Sequence, residues 1–176
     1  GSSMSAVHIA AGQIQLGAGE AFICGGVESM SRVPMLGFNP MPNPALAQRS
    51  AAYIGMGDTA ENVAQKYGID RAAQEAFALA SQQKAAAAQA AGKLADELVA
   101  IPTKAGPVTQ DGVLRPDTTA EGLAGLKPAF NAAGTVTAGT ASPLTDGASA
   151  VLVTSEDYAT AHGLKPIARI RAVAIS

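Results

Sequence analysis

Only a handful of side chains in this sequence combine the type and the setting that covalent or acid–base chemistry needs. Its one thiol is Cys24, and its two imidazoles are His8 and His162. Cys24 ends the apolar run Ala21-Phe22-Ile23-Cys24 ahead of Gly25-Gly26. In that setting a thiol stays protonated and inert, the usual state of a buried free cysteine. His8 follows Val7 on a helical run and can approach a neighbouring serine or a subunit partner. His162 falls in the last turn of a helix, where a contact with the helix dipole accounts for it. Neither imidazole has an acid at a spacing that would orient it, so no nucleophile–base–acid set is legible. One Cys cannot form an internal disulfide, and one Cys with two distant His offers no zinc spacing. Both facts fit a reducing compartment and a protein without structural metal.

Composition limits the elements that could carry these residues. The chain has 176 residues, about one ordinary domain, and 48% are hydrophobic, enough to bury a core and to exclude a disordered tail. Aromatics make up 4% and Trp is absent, so small residues must close the core at short backbone distances, which favours tightly layered helices and strands. With 12 Lys and Arg against 14 Asp and Glu the net charge is -2, and the basic residues are scattered, which speaks against nucleic acid as a partner. No apolar run approaches the roughly 20 residues of a membrane span, and no charged n-region with an apolar h-region opens the chain. The expectation is a soluble, cytoplasmic protein with no membrane partner.

Met4, Val7, Ala11 and Ile14 stand at helical spacing, with Gly17 and Gly19 as a stop, so a helix is expected almost from residue 1. Ala21–Cys24 reads as a buried strand in a sheet covered on both faces, ending at Gly25-Gly26. Pro34, Pro40, Pro42 and Pro44 mark an aperiodic excursion. Asp58 and Glu61 have a capping-box spacing before a short helix closed by Gly68, and Asp70 can cap a long Ala-rich helix to about Gly92. Leu98–Ile101 and Val113-Leu114 read as short strands about a turn at Asp111-Gly112, and Thr118 with Glu121 repeats the capping spacing before a helix to about Leu126. TVTA after Gly134, GASAVLVTS and ARIRAVAI are β-rich, the last two separated by a helix capped by Ser155 and stopped by Gly163, a βαβ pattern. The order is α/β at both ends, with a mainly helical insertion over roughly 36–130. The opening helix has no lead-in, and the run at 168–176 reads as a strand with nothing after it, so the chain is expected to be a fragment.

Four stretches taken together resemble the thiolase family, acyltransferases that make or cleave a carbon–carbon bond between acyl-CoA thioesters. They are GSSMSAVHIAAGQI at 1–14, GGVESMS at 25–31, MGDTAENVAQKYGI at 56–69 with RAAQEAFALASQQKAAAAQ after it, and LKPAF followed by GTVTAGTASPLTDGASAVLV within 126–153. Gly1-Ser2-Ser3 themselves match the family pattern, which displaces their reading as an expression scar before a natural start at Met4. The resemblance implies a partial, layered α/β fold of the thiolase type. Residues 1–35 would end the N-terminal half, 36–130 would form a loop domain that contacts coenzyme A, and 131–176 would return to the N-terminal half and begin the C-terminal one. It implies a homodimer or homotetramer, CoA and acyl-CoA as substrate and partner, and no metal or redox cofactor.

The family nucleophile is a cysteine immediately before the position of Gly1. A thiolate there would face the amide groups of a helix N-terminus, which lower a cysteine pKa from about 8.5 toward neutrality or below. The resemblance therefore places no catalytic residue within the chain itself. Further family elements, an Asn-Glu-Ala-Phe segment, a Gly-His-Pro segment and a second cysteine, have no counterpart in it. The coenzyme side is represented: by resemblance Arg115 lies beside the adenosine phosphates, where a guanidinium forks onto phosphate oxygens. Ser142 would stand near the pantetheine amide, Ala138, Gly139 and Leu144 would wall its channel, and Met56 and Phe130 would pack on the acyl or pantetheine part. Read alone, Arg115 is a solvated loop charge and the others are ordinary packing. Glu28, beside the active-site floor or a subunit contact, would be a buried carboxylate served by the amides of Ser29 or Ser31.

Two positions depart from acetoacetyl-CoA specialists, which often carry His before the Met-Gly step and Asn before the Ala-Ser step; here they are Gly55 and Thr140. Both weaken a strictly biosynthetic reading, and Gly55 with Pro143–Gly147 looks more like the degradative members of broader acyl-chain range. Two alternatives are a non-catalytic CoA-binding or assembly module and a condensing enzyme acting on carrier-bound acyl groups. The loop insertion and TVTAGTAS favour the coenzyme A branch over the second.

Overall fold

The computed structural model describes residues 1–174, in two compact units: Gly1–Phe38 with the chain from Leu144 onward, and Asn39–Pro143. In chain order the elements are α1 (Ser2–Gln15), β1 (Ala21–Glu28), α2 (Pro44–Arg49), α3 (Met56–Tyr67), α4 (Arg71–Ala90), one turn of 3-10 helix (Ala95–Glu97), β2 (Ile101–Thr103), β3 (Gly106–Val108), α5 (Ala120–Ala124), β4 (Gly147–Thr154) and α6 (Glu156–Ala161).

In the first unit β1 and β4 form an antiparallel pair, in register from Ala21 opposite Thr154 to Glu28 opposite Gly147. α1 packs on this pair. Small side chains allow the close approach: Ala10 is buried, the Cys24 thiol donates to the Ala6 carbonyl at 3.6 Å, and Ser3 lies directly over Gly26. The inward stripe of α1 runs through Val7, Ala11 and Ile14 as expected, but Met4 is 62% exposed. Strand β1 continues through Gly25-Gly26 to Glu28, beyond the expected end, because Gly26 is where α1 comes nearest and a side chain would obstruct it. Its coverage is one-sided. Phe22, Cys24 and Gly26 share the more covered face, whereas Ile23 and Val27 are 81% and 78% exposed. The expectation of a strand covered on both faces is therefore corrected.

In the second unit α3, α4 and α5 surround a small core that includes Ala64, Leu123, Val136 and the fully buried Thr137. Capping chemistry sets most boundaries. Asp70 accepts from the Ala73 amide at 2.8 Å and opens α4 as expected; Ser155 does the same for α6 in the first unit, accepting from Tyr158 at 3.0 Å. The expected stops at Gly17, Gly68, Gly92 and Gly163 all hold, each with φ between 63° and 70°, where an L side chain would be strained.

Several expected elements differ. The Asp58/Glu61 capping box is not formed: Gly55 precedes α3 without a side-chain cap, and Glu61 bonds elsewhere. Thr119, not Thr118, caps α5, accepting from Gly122 at 3.0 Å, and α5 ends at Ala124. The hairpin turn falls at Lys104-Ala105 rather than Asp111-Gly112, since Gly106 supplies φ 112° and the Thr103 hydroxyl closes on the Gly106 carbonyl at 2.6 Å. Leu98–Ala100 and Val113-Leu114 are not strands. TVTA contributes only an isolated antiparallel bridge, Thr137 to Pro128. Residues 168–174 form no strand, so the βαβ pattern is not completed there, and the last two positions of that expected strand lie outside the described residues.

Candidate functional site

In the first unit, the amino end of α1 is the arrangement best suited to chemistry. Ser5 is the first residue whose amide reaches back one turn, donating to the Gly1 carbonyl at 3.0 Å. Gly1 is the N-cap and brings no side chain to the first-turn amides. They open on a shallow depression of about 520 Å³ lined by Ser2, Ser3, Ala6, Gly25, Gly26, Val27 and Ser149. Such a helix end stabilises an anion, a thiolate included.

The loop after β1 is tied to the approach to β4. Asp146 accepts from the Ser31 amide at 2.7 Å and from its hydroxyl, and these bonds, hydroxyl first, hold its carboxyl below the ordinary 3.8. Glu28 is exposed, and the Ser31 amide expected to serve it serves Asp146; the buried-carboxylate reading of Glu28 is corrected. Cys24, 7% exposed and bonded to a backbone carbonyl, matches its structural reading. His162 stacks on Tyr158 with ring centroids 4.0 Å apart, and its Nδ1 lies 3.0 Å from the Tyr158 carbonyl.

In the second unit, the Phe130 ring lies directly on Gly57, the residue after Met56, so the two apolar candidates flank one glycine. Met56 is 78% and Phe130 50% exposed, leaving both able to meet a ligand. Phe130 extends from the strand-like stretch that bridges Val136 and Thr137: the Ala129 amide donates to the Val136 carbonyl at 2.9 Å. Ala138 and Gly139 follow at once. Gly139 approaches α5 so closely that an added Cβ would lie 2.7 Å from Leu126 Cδ1, and nearer still to Leu123.

Charged side chains hold this loop. Both oxygens of Glu61 are used: Oε1 accepts from the Thr135 and Val136 amides at 2.9 and 2.8 Å, and Oε2 from the Thr135 amide and hydroxyl at 3.0 and 3.2 Å. The Thr135 amide, then that of Val136, hold the Glu61 carboxyl below the usual 4.5, with partial burial opposing them. From α4, Arg71 pairs with Glu75 at 2.6 Å and donates to the carbonyls of Leu123, Ala124 and Leu126 at 3.2, 3.1 and 2.5 Å, closing the C-terminal end of α5. Neither Glu61 nor Arg71 was singled out from the sequence as a site residue. No local spacing links Glu61 to partners 74 and 75 positions away.

Other sequence-derived candidates are placed apart. Arg115 is exposed; its guanidinium turns onto the carbonyls of Gly112 and Leu114 at 3.1 and 3.2 Å, and its amide donates to Gln82 of α4. Ser142 is exposed beyond the Thr137–Thr140 turn, and Leu144 belongs to the first unit. Among the described residues no group of three or more His, Cys, Asp or Glu side chains is placed to hold a metal ion, and no helix is long and apolar enough to cross a membrane.

Residues 1–157 match the family model for the thiolase N-terminal domain. A 3-ketoacyl-CoA thiolase of Bacillus subtilis is 43% identical over 99% of this chain and 48% of its own length. Human mitochondrial 3-ketoacyl-CoA thiolase, solved in complex with CoA, matches 94% of this chain and 45% of its own with a TM-score of 0.77 at 35% identity. The dimeric peroxisomal thiolase of Saccharomyces cerevisiae matches 92% of this chain and 43% of its own, with a TM-score of 0.80 at 35% identity. The chain spans about half the length of the curated relatives it matches.

Proposed function

The chain belongs to the thiolase family, and from that we propose that it is part of an acyl-CoA C-acyltransferase that cleaves 3-ketoacyl-CoA with free CoA or runs the reverse condensation. The observation that carries the reading is the amino end of α1, where Gly1 supplies no side-chain cap and Ser2 and Ser3 line a depression with Gly25-Gly26. A cysteine immediately before Gly1 would stand at that end, its thiolate stabilised by the helix dipole and the first-turn amides. In the cleavage direction the thiolate attacks the 3-keto carbon and the C2–C3 bond breaks, acetyl-CoA leaving as its α-carbon takes a proton; free CoA, giving up its thiol proton, then takes the acyl group and frees the cysteine, so one difficult transfer becomes two easier ones. The residues of this chain would hold the nucleophile and the coenzyme, and other parts of the protein would complete the proton transfers and the oxyanion site.

For the coenzyme, Ala138 and Gly139 of the second unit offer backbone at close range, Met56 and Phe130 offer apolar contact, and Ser142 would stand near the pantetheine amide. Arg115 would meet the adenosine phosphates by exchanging its two neutral carbonyl partners for charged oxygens, a stronger interaction. Gly55 and Pro143–Gly147 support the degradative, broader-chain members as the model for substrate choice. CoA thioesters act as substrates, with no metal or redox cofactor. The assembly is a homodimer or homotetramer, and the compartment is the cytoplasm. The test is thiolysis by the gene product extended through the residue before Gly1. Loss of 3-ketoacyl-CoA on adding CoA, abolished by replacing that cysteine with Ser, is expected; an inactive intact protein refutes the reading.

A further inference from the structure

We propose that Glu61 is a positioning residue for the coenzyme site, holding the 134–139 loop in the shape that presents Ala138 and Gly139 to the pantetheine arm. The inference rests on the acyltransferase reading and assigns to it a residue that touches neither substrate nor nucleophile.

Glu61 projects from the middle of α3, past any capping position, and its carboxylate takes two successive backbone amides and a hydroxyl from Thr135 and Val136. Successive amides converging on one carboxylate fix the direction of the backbone as well as its position. Gly134 makes room for this contact: an added Cβ there would overlap the Glu61 carboxylate. Downstream, Thr137 is fully buried, and the Thr140 hydroxyl accepts from its amide at 3.0 Å, so the turn carrying Ala138 and Gly139 is anchored at its base. Upstream, the Val136 carbonyl receives the Ala129 amide and so sets the stretch that ends in Phe130. One carboxylate thus governs both sides of the bridge from which Phe130, Ala138 and Gly139 project. Gln74 adds a second tie to the same place, donating to the Thr135 hydroxyl at 2.9 Å.

The geometry distinguishes three substitutions. Glu61→Ala removes every acceptor. Glu61→Gln keeps a carbonyl at the Oε1 position, which alone receives both amides, so it should retain much of the loop's shape. Gly134→Ala leaves Glu61 chemically intact but displaces its carboxylate. In the full-length protein, Glu61→Ala and Gly134→Ala are expected to raise KM for CoA on the order of tenfold with kcat little changed, and Glu61→Gln to restore most of the affinity. That split, with all three variants melting as folded proteins, supports the assignment. An active wild type whose KM for CoA is unmoved by Gly134→Ala, or as strongly raised by Glu61→Gln as by Gly134→Ala, overturns it, as does a fall in kcat at constant KM. Should Glu61→Ala fail to fold, the other two decide. A wild type without thiolysis defeats the acyltransferase reading first and this inference with it.

Discussion

At the scale of the residue, titration behaviour follows from hydrogen bonding. Glu61 and Asp146 are both held below their ordinary values by amides and hydroxyls that favour the charged form. A depressed folded pKa contributes stability that is fully present above the unfolded value and disappears as pH falls through the folded one. Melting temperature should therefore hold down to the ordinary 4.5 and 3.8 of these groups and decline below them. In the double variant Glu61→Gln/Asp146→Asn the acid decline should be shallower; an unchanged slope would show that other carboxylates control it. Arg71 is the second residue whose loss should register, since Arg71→Ala leaves three backbone carbonyls at the end of α5 without their charged donor. A cost of about 2 kcal/mol in urea unfolding is expected. Cys24 was legible from its neighbours alone, because an apolar strand flanked by glycines specifies burial. Glu61 was not, since its acidic spacing with Asp58 fits a local cap equally well and the amides that claimed it are distant in sequence.

At the scale of the element, the sequence was most informative where one residue decides a boundary. Asp70, Ser155 and the helix-stopping glycines act within a turn of themselves, and each stands where its chemistry required. Asp70→Ala should cost about 1 kcal/mol and fray the start of α4, read as faster amide exchange at Ala73. Boundaries that depend on tertiary approach were misread. Gly25-Gly26 resembles a strand terminator, but the strand runs on and Gly26 is the floor under Ser3, and the Pro-rich hairpin hides its turn because Pro102 and Pro107 face each other in the ladder. A Cβ on Gly26 would lie 2.6 Å from Ser3 Cβ, so Gly26→Ala should push α1 off the sheet and destabilise the first unit by about 1–3 kcal/mol. If denaturation showed this substitution to be neutral, the close approach of helix and strand would be wrong.

At the scale of the molecule, the α/β class and the mainly helical middle were readable from periodicity, and the family from four motifs in order. The antiparallel pairing of β1 with β4 was not, because a contact across more than a hundred residues leaves no local trace. The face bearing Ile23, Val27 and Leu152 is apolar and open. The proposal that acyl transfer begins at the amino end of α1 is tested by mass spectrometry of the intact gene product after brief exposure to a 3-ketoacyl-CoA. An acyl group on a cysteine directly before Gly1 that disappears when free CoA is added is the expected result. No adduct there, or one on Cys24 instead, would contradict it.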